Sequence, residues 1–157
     1  NALVDISIRD IIIEAIKNVE YESRAKNIKI KTTQVKERIV TIPKVILDRV
    51  LTNLLDNAIK HSKDSDTITI ESSIKDDLLK IQIIDSGEGI PKDVIPLLFK
   101  IDNKKRKAYD PDKPSMGLGL YLCQKLMHSV GGRIIAANNT TSAGANFTIE
   151  YILPKDH

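Results

Sequence analysis

The sequence predicts one α/β domain, and three observations support that fold class. The chain has 157 residues with 41% hydrophobic content, which is enough for one core and gives no sign of a second. Its apolar residues recur at helical spacing in some stretches and alternate with polar residues in others. Helical and strand patterns follow one another in blocks, without internal repeats. We therefore expect a layer of helices packed on a sheet.

The element boundaries follow from the period of the apolar residues and from residues that begin helices or form turns. Ser7, with Asp10 three residues later, has the form of a capping box, so a helix should begin there. Pro43 suits the first turn of another helix, and we expect the two strand-like runs before it to pair with each other. Asp76 and Asp77 suit the turn of a hairpin. In order, the predicted elements are a helix from Ser7 to about Arg24, strands over 28–32 and 38–42, a helix from Pro43 to about Ser62, strands over 67–74 and 78–84, a long irregular loop over 91–116, a helix to about Val130, and strands over 133–137 and 145–153.

The composition argues against several classes of protein. A net charge of +3 is too small to indicate a nucleic-acid-binding protein. No apolar run approaches the roughly 20 residues of a membrane span, and the first residues lack the pattern of a signal peptide. The single cysteine, Cys123, should be a small buried residue of a helix, and with three histidines it forms no zinc-binding spacing. We expect a cytoplasmic domain without direct membrane contact.

The predicted helix that follows Pro43 carries a polar flank in the segment LTNLLDNAIKHS. At about 100° per residue, Asn53, Asn57 and Lys60 fall within roughly 60° of one another, beside a stripe of apolar residues. Asn is a poor helix former because its side chain competes for backbone hydrogen bonds, so two of them at helical spacing need an explanation. One explanation is a flank that faces water or caps a loop; the other is a binding wall of two amides and an ammonium group.

The predicted strand over 78–84 ends in the segment DSGEGI. By period two, Asp85 falls on the buried face of the strand, where a carboxylate needs a donor partner. Gly87 and Gly89 allow the backbone to turn tightly and to approach a ligand. The segment is either an ordinary Asx turn that ends a strand or the floor of a site for a flat heterocycle whose exocyclic amine donates to Asp85.

A second glycine pair, Gly117 and Gly119 in MGLGLYL, ends the loop over 91–116 and opens a helix. That loop holds seven basic and four acidic residues, so its excess equals the whole net charge. Backbone amides at a helix start, together with the helix dipole, favour an anion such as phosphate. The alternative is a flexible entry to a core helix whose inward residues are Leu118, Leu122, Leu126 and Val130.

These motifs, in this order, resemble the ATP-binding catalytic domain of sensor histidine kinases, in the superfamily that includes the gyrase, Hsp90 and MutL ATPases. LTNLLDNAIKHS resembles the N box, DSGEGI the first glycine box, LLFK a reduced F box, GLGL the second glycine box and GANFTIEYILP the closing strand. The four boxes in this order are far more specific than any one of them alone. The resemblance covers essentially the whole chain and implies an α/β (α+β) two-layer sandwich of the Bergerat type, with a mixed, mainly antiparallel sheet, helices on one face and an ATP lid over 91–116.

The resemblance also implies an activity and a set of site residues. The chain would bind Mg²⁺ and ATP and transfer the γ-phosphoryl group to a histidine on a separate dimerisation domain. Asn57 and Asn53 would hold Mg²⁺ and, with Lys60, form the catalytic group, while Asp85 would accept from the adenine amino group. The implied nucleotide-binding residues are Asn53, Asn57, Lys60, His61, Asp85, Gly87, Gly89, Ile90, Lys100, Gly117, Leu118, Gly119, Leu120 and Thr148.

Position 53 helps to distinguish the subfamilies. Members of the superfamily that hydrolyse ATP have Glu four residues before the magnesium-binding Asn, as a base for water, and Asn53 cannot take a proton. An imidazole acceptor is itself nucleophilic and needs no such base, so the amide favours a histidine kinase over a hydrolase of the gyrase and Hsp90 type. Asp102 stands where the F box usually has a second phenylalanine after Phe99, which leaves a non-catalytic ATP-binding regulatory module as the main alternative.

The resemblance implies partners as well. None of the histidines has the following acidic residue and the helical context of a phosphoacceptor, so the acceptor histidine is expected on upstream dimerisation helices of the same protein. The receiver domain of a response regulator would then take the phosphoryl group on an aspartate. Any sensor or membrane segment of the parent protein is expected upstream too, and no nucleic acid is expected as a partner.

Overall fold

A computed structural model describes residues 2–101 and 119–155 of the chain. Within those ranges the fold consists of helices on one face of a five-stranded sheet, and two further strands form a small sheet of their own. The helices are α1 (Ile8–Asn18), α2 (Glu20–Ala25), α3 (Lys44–Lys60) and α4 (Gly119–Ser129), and a 3₁₀ turn covers Ile95–Leu97. The strands are β1 (Val4–Ser7), β2 (Lys29–Gln34), β3 (Ile39–Ile42), β4 (Thr67–Lys75), β5 (Leu78–Ile84), β6 (Arg133–Asn138) and β7 (Ala145–Ile152).

The larger sheet has the strand order β2-β4-β5-β7-β6. β2 runs parallel to β4, whereas the other neighbouring pairs are antiparallel. The β4–β5 hairpin turns through Asp76 and Asp77, whose positive φ angles of 52° and 65° are those that a type I′ turn requires. The twist of such a turn matches the right-handed twist of the flanking strands. The mixed, mainly antiparallel sheet predicted from the sequence is therefore confirmed.

The core lies between this sheet and the helices. Alternate residues of the central strands, such as Ile81 on β5 and Ile149 on β7, are fully buried, whereas their neighbours Lys80 and Thr148 lie on the opposite face. α3 packs against α1, α4 and β5. It buries residues at helical spacing along its length: Ile46, Leu47, Val50, Leu51, Leu54, Leu55, Ala58 and Ile59. None of the helices in the described ranges is long and apolar enough to cross a membrane.

The first part of the chain differs from the sequence-based prediction in two ways. Ser7 caps α1 as expected, with its Oγ accepting from Asp10 N at 3.1 Å, but the helix is interrupted at Val19 and continues as α2. The predicted pairing of the two early strands is wrong, because β2 pairs with β4 and β3 pairs with β1. β1 provides the partner that the prediction lacked, since its Ile6 lies opposite Val40 of β3.

The last helix also differs in its buried face. Cys123 is fully buried, as predicted, and Met127 is its buried neighbour one turn later. Leu122, which the sequence placed on the inward face, is 38% exposed, and Leu126 and Val130 are only partly buried. The difference is a rotation of about 100°, the angle between consecutive helical residues. Leu118 lies outside the described residues.

Candidate functional site

A cavity of about 330 Å³ opens where the end of α3, the segment after β5 and the start of β7 meet. All five of the sequence segments that resemble family motifs therefore contribute at least one residue to this site. Polar groups and apolar side chains both line it, the apolar ones coming mainly from the segment after β5 and from β7. The lining residues are Asn57, His61, Lys63, Asp85, Glu88, Gly89, Ile90, Pro91, Val94, Leu98, Leu120, Ala145 and Phe147.

Asp85 lies in the wall of the cavity, directly after β5, and is 5% exposed. Its Oδ1 accepts hydrogen bonds from the backbone N–H groups of Gly87 and Ala145, each at 3.0 Å. The first of these is the Asx turn that the sequence offered as an alternative, and the two bonds together fix the plane of the carboxylate. Within residues 2–101 and 119–155, no protein group donates to Oδ2. That oxygen is therefore the acceptor available to a ligand.

Two glycines of the DSGEGI segment are required by the local geometry. A Cβ at Gly87 would lie 2.6 Å from the backbone oxygen of His61, so the absence of a side chain lets this segment approach the end of α3. Gly89 has a φ of +82°, which L side chains rarely adopt, and a Cβ there would lie 2.8 Å from Asn138 Oδ1. The expected tight turn is present, and the close approach seen at Gly87 is to the backbone at the end of α3.

The C-terminal end of α3 supplies the polar side of the cavity through Asn57 and His61. This end is held by Lys26, whose ammonium group donates to carbonyl oxygens in the last turn of the helix and just beyond it. The positive charge also complements the negative end of the helix dipole. The sequence gives no local signal for this contact, because more than thirty residues separate the partners. The acceptors are the carbonyl oxygens of Ile59 at 2.9 Å, Lys60 at 3.2 Å and Ser62 at 2.8 Å.

Asn53 and Lys60, the other two residues of the polar flank, do not line the cavity. Asn53 Nδ2 donates to Cys123 Sγ at 3.5 Å, where α4 packs against α3. Burial raises the pKa of the Cys123 thiol, and the hydrogen bond from Asn53 opposes that rise. Lys60 is exposed and pairs with Asp56 one turn earlier, at 3.0 Å. The helix therefore presents Asn57 to the cavity and turns its neighbours toward α4 and solvent.

The remaining predicted residues are divided between the cavity and its surroundings. Gly89, Ile90 and Leu120 line the cavity, whereas Lys100 and Gly119 lie outside its lining. Thr148 is on the opposite face of the sheet, since the alternation of β7 brings its neighbour Phe147 into the cavity instead. Thr148, which was expected at the nucleotide site, therefore lies outside this cavity. Gly117 and Leu118 lie outside the described residues.

Several lining residues were missed by the sequence analysis. Val94, Leu98 and Phe147 form apolar walls, and Phe147 makes an edge-to-face contact with Phe99, with ring centroids 6.4 Å apart. Phe147 belongs to the closing-strand motif and lies two residues after Ala145, so the two side chains share one face of the strand. This alternation could have indicated Phe147. A flat apolar ring would fit between such walls, with a donor group facing the fixed carboxylate and a polar extension toward Asn57.

The part of the chain that lines the cavity also matches a known protein family. Residues 42–156 match the family described as histidine kinase-, DNA gyrase B-, and HSP90-like ATPases. The chain belongs to this family. The match includes α3, the DSGEGI segment, α4 and β7, so all of the cavity-lining residues come from the matched part of this ATPase domain.

The proteins similar to this chain include sensor proteins and histidine kinases. The sensor protein KdpD of Clostridium acetobutylicum is 34% identical over 132 residues, which is 83% of this chain but only 14% of that protein. The catalytic domain of the histidine kinase ThkA, in a nucleotide-free form, has a TM-score of 0.78 at 24% identity and covers 96% of this chain and 95% of that one. Full-length ShkA in complex with AMPPNP has a TM-score of 0.81 at 19% identity, over 98% of this chain and 32% of that one. These structures show that the fold is shared.

Proposed function

We propose that this chain is the ATP-binding catalytic domain of a protein-histidine kinase, and that it binds ATP in the cavity described above. The observation that carries the proposal is the Asp85 carboxylate, with Oδ1 held by two backbone amides and Oδ2 left for a ligand. The exocyclic amine of adenine would donate to Oδ2, between the apolar walls. The AMPPNP complex of ShkA supports the choice of an adenine nucleotide for this fold.

The polar side of the cavity suits the triphosphate and its metal ion. Asn57 offers an amide oxygen, and Mg²⁺ prefers oxygen ligands, retains several waters and binds mostly through substrate phosphates. The Asn57 amide therefore fits as the protein anchor of the ion, and Asn53, which lies outside the cavity lining, would be a second ligand only after it releases Cys123 Sγ. When bound, Mg²⁺ would neutralise charge on the phosphates during phosphoryl transfer. His61 and Lys63 line the same side and would donate to phosphate oxygens.

The acceptor of the phosphoryl group is proposed to be a histidine on dimerisation helices of the same protein, followed by an aspartate of a response regulator. Asn53 supports this choice over hydrolysis, since an amide cannot accept the proton of an attacking water. A solved structure of ThkA in complex with the response regulator protein TrrA supports the kind of partner. The chain spans only 14% of the length of KdpD. Phosphoryl transfer by the whole parent protein is therefore a proposal.

The proposal is tested in two steps with labelled nucleotide. Calorimetry with ATP, with and without Mg²⁺, should first show saturable, magnesium-dependent binding. The chain is then mixed with the phosphoacceptor domain of its parent protein and γ-labelled ATP, and the acceptor should gain a phosphohistidine, recognised as an acid-labile, base-stable label. Binding without label would support a regulatory module instead, and steady phosphate release without an acceptor would support a hydrolase.

The control variants follow from the same geometry. Asn57→Ala should lose both magnesium-dependent binding and transfer. Lys100→Ala changes a residue outside the cavity lining, and it should leave binding of the nucleotide unchanged if the described cavity accounts for the affinity.

A further inference from the structure

Ile90, the last residue of the DSGEGI segment, is held by the side chain of Asn138. The Ile90 N–H donates to Asn138 Oδ1 at 2.7 Å, and Asn138 Nδ2 donates to the Ile90 carbonyl oxygen at 2.8 Å. One carboxamide thus satisfies both backbone groups of one residue, as a neighbouring strand would. Asn138 is the last residue of β6 and lies opposite Ala145 of β7 in the sheet, so its own position is fixed.

The contact fixes one end of a segment whose other end is already fixed. At its start, Asp85 is held through Oδ1, which accepts hydrogen bonds from two backbone N–H groups. The Asn139 side-chain amide also donates to the Asp85 carbonyl oxygen at 2.9 Å. Asn138 holds its end, next to Gly89, whose φ is +82°. Gly89 and Ile90 both line the cavity. Without Asn138, the flexible glycine would be free to let this wall move.

We propose that Asn138 is a positioning residue for the nucleotide, acting through the backbone of Ile90. The inference rests on the proposed function, since it concerns the affinity of the same cavity for ATP. Asn138 does not line the cavity and acts at the wall that would receive the base, away from the transferred phosphoryl group. Its loss should therefore raise the KM for ATP and leave kcat nearly unchanged, as expected for an interaction that is equally strong in the ground and transition states.

The chain provides a matched control in Gln124 of α4. Gln124 Oε1 accepts from the Ile134 N–H at 2.8 Å, and its Nε2 donates to the Ile134 carbonyl oxygen at 2.9 Å. The chemistry and the distances match those of Asn138, but Gln124 and Ile134 do not line the cavity. Gln124→Ala therefore removes the same kind of contact without touching the proposed wall.

The experiment compares Asn138→Ala with Gln124→Ala in three measurements. Amide hydrogen exchange by NMR should show faster exchange at Ile90 in the first variant and at Ile134 in the second. Thermal unfolding should show similar losses of stability for the two. Calorimetry with ATP and Mg²⁺ should show binding weakened about tenfold for Asn138→Ala, equivalent to about 1.4 kcal/mol, and unchanged binding for Gln124→Ala.

Each outcome decides between the alternatives. Equal ATP affinities for the two variants, with Ile90 exchanging faster only in Asn138→Ala, would overturn the positioning role while leaving the proposed function in place. A wild-type chain that binds no ATP would overturn the proposed function itself. If Asn138→Ala does not fold, Asn138→Asp has the same shape and keeps the oxygen that accepts from Ile90. It should weaken ATP binding relative to Gln124→Ala, and wild-type affinity in that variant would refute the proposal.

Discussion

Replacement of Asp85 by Asn tests the central contact of the proposed site. The two N–H groups of Gly87 and Ala145 each point at Oδ1, so in the variant the amide oxygen should take that position. The amide NH₂ group is then left where Oδ2 stood, facing the ligand. A donor would meet the adenine amino group, which is also a donor. The substitution keeps the shape of the side chain and inverts its hydrogen-bonding character toward the base.

The size of the effect follows from these contacts. A hydrogen bond to a charged acceptor contributes about 1.5–3 kcal/mol, so its loss should weaken ATP binding by about 10- to 100-fold. The fold should remain intact, since the two backbone N–H groups keep an acceptor. The new NH₂ group can donate to a base with a carbonyl oxygen at the same ring position. Inosine triphosphate should therefore lose much less affinity than ATP, or gain some.

Calorimetry with ATP and inosine triphosphate measures both effects. Glu88→Gln is the matched control, because it removes a carboxylate that lines the same cavity but makes no contact with the Gly87 and Ala145 amides. It should leave the ratio of the two affinities unchanged. Wild-type affinity for ATP in Asp85→Asn, or an equal change in Glu88→Gln, would refute the assignment of Asp85 to the base.

Three further predictions concern the metal, the sheet and the cysteine. Asn57→Ala should abolish the difference in ATP affinity between magnesium and EDTA buffers in calorimetry, and a persisting difference would exclude this residue as the metal anchor. The hydrogen bond from Arg133 holds the pKa of Glu150 below its ordinary value of 4.5, so its stabilising effect should be present above that pH and be lost as the pH falls through the folded-state pKa. Urea unfolding at neutral pH and at about pH 3 should show a smaller loss of stability on acidification for Glu150→Gln than for the wild type. Burial raises the pKa of the fully buried Cys123 thiol, so a thiol reagent should label it in urea but not in the native protein, and rapid native labelling would contradict its burial.

The parts of the fold that the sequence predicted well are those fixed by local chemistry. Ser7 caps its helix because its hydroxyl lies within reach of the Asp10 N–H, three residues away. The strand over residues 78–84 was predicted with its observed bounds, because apolar and polar residues alternate there and Asp76 and Asp77 suit the turn before it. Neither prediction depends on distant parts of the chain.

The parts that were missed depend on contacts between distant residues. The pattern of β2 shows that it is a strand, but it does not show that the partner is β4 rather than β3. Lys26 cannot be connected to the end of α3 from its own neighbourhood. The same holds for Asn138, whose contact with Ile90 becomes visible only when the end of β6 is placed beside that residue. Such contacts form between side chains and backbone groups far apart in sequence, where no periodicity predicts them.

The polar flank of α3 shows how packing decides the use of a helix face. Helical spacing groups Asn53 with Asn57, but α4 packs against the side that carries Asn53 and provides Cys123 Sγ as an acceptor. A thiol sulfur is a weak acceptor, so release of the Asn53 amide should cost little compared with a bond to an oxygen. In the proposed function, Asn53 would give up this contact and turn toward the metal ion that Asn57 is proposed to hold, one turn later on the same helix. Asn53, the residue that favours a histidine acceptor over hydrolysis, would then contact α4 when the metal is absent and the metal when it is bound.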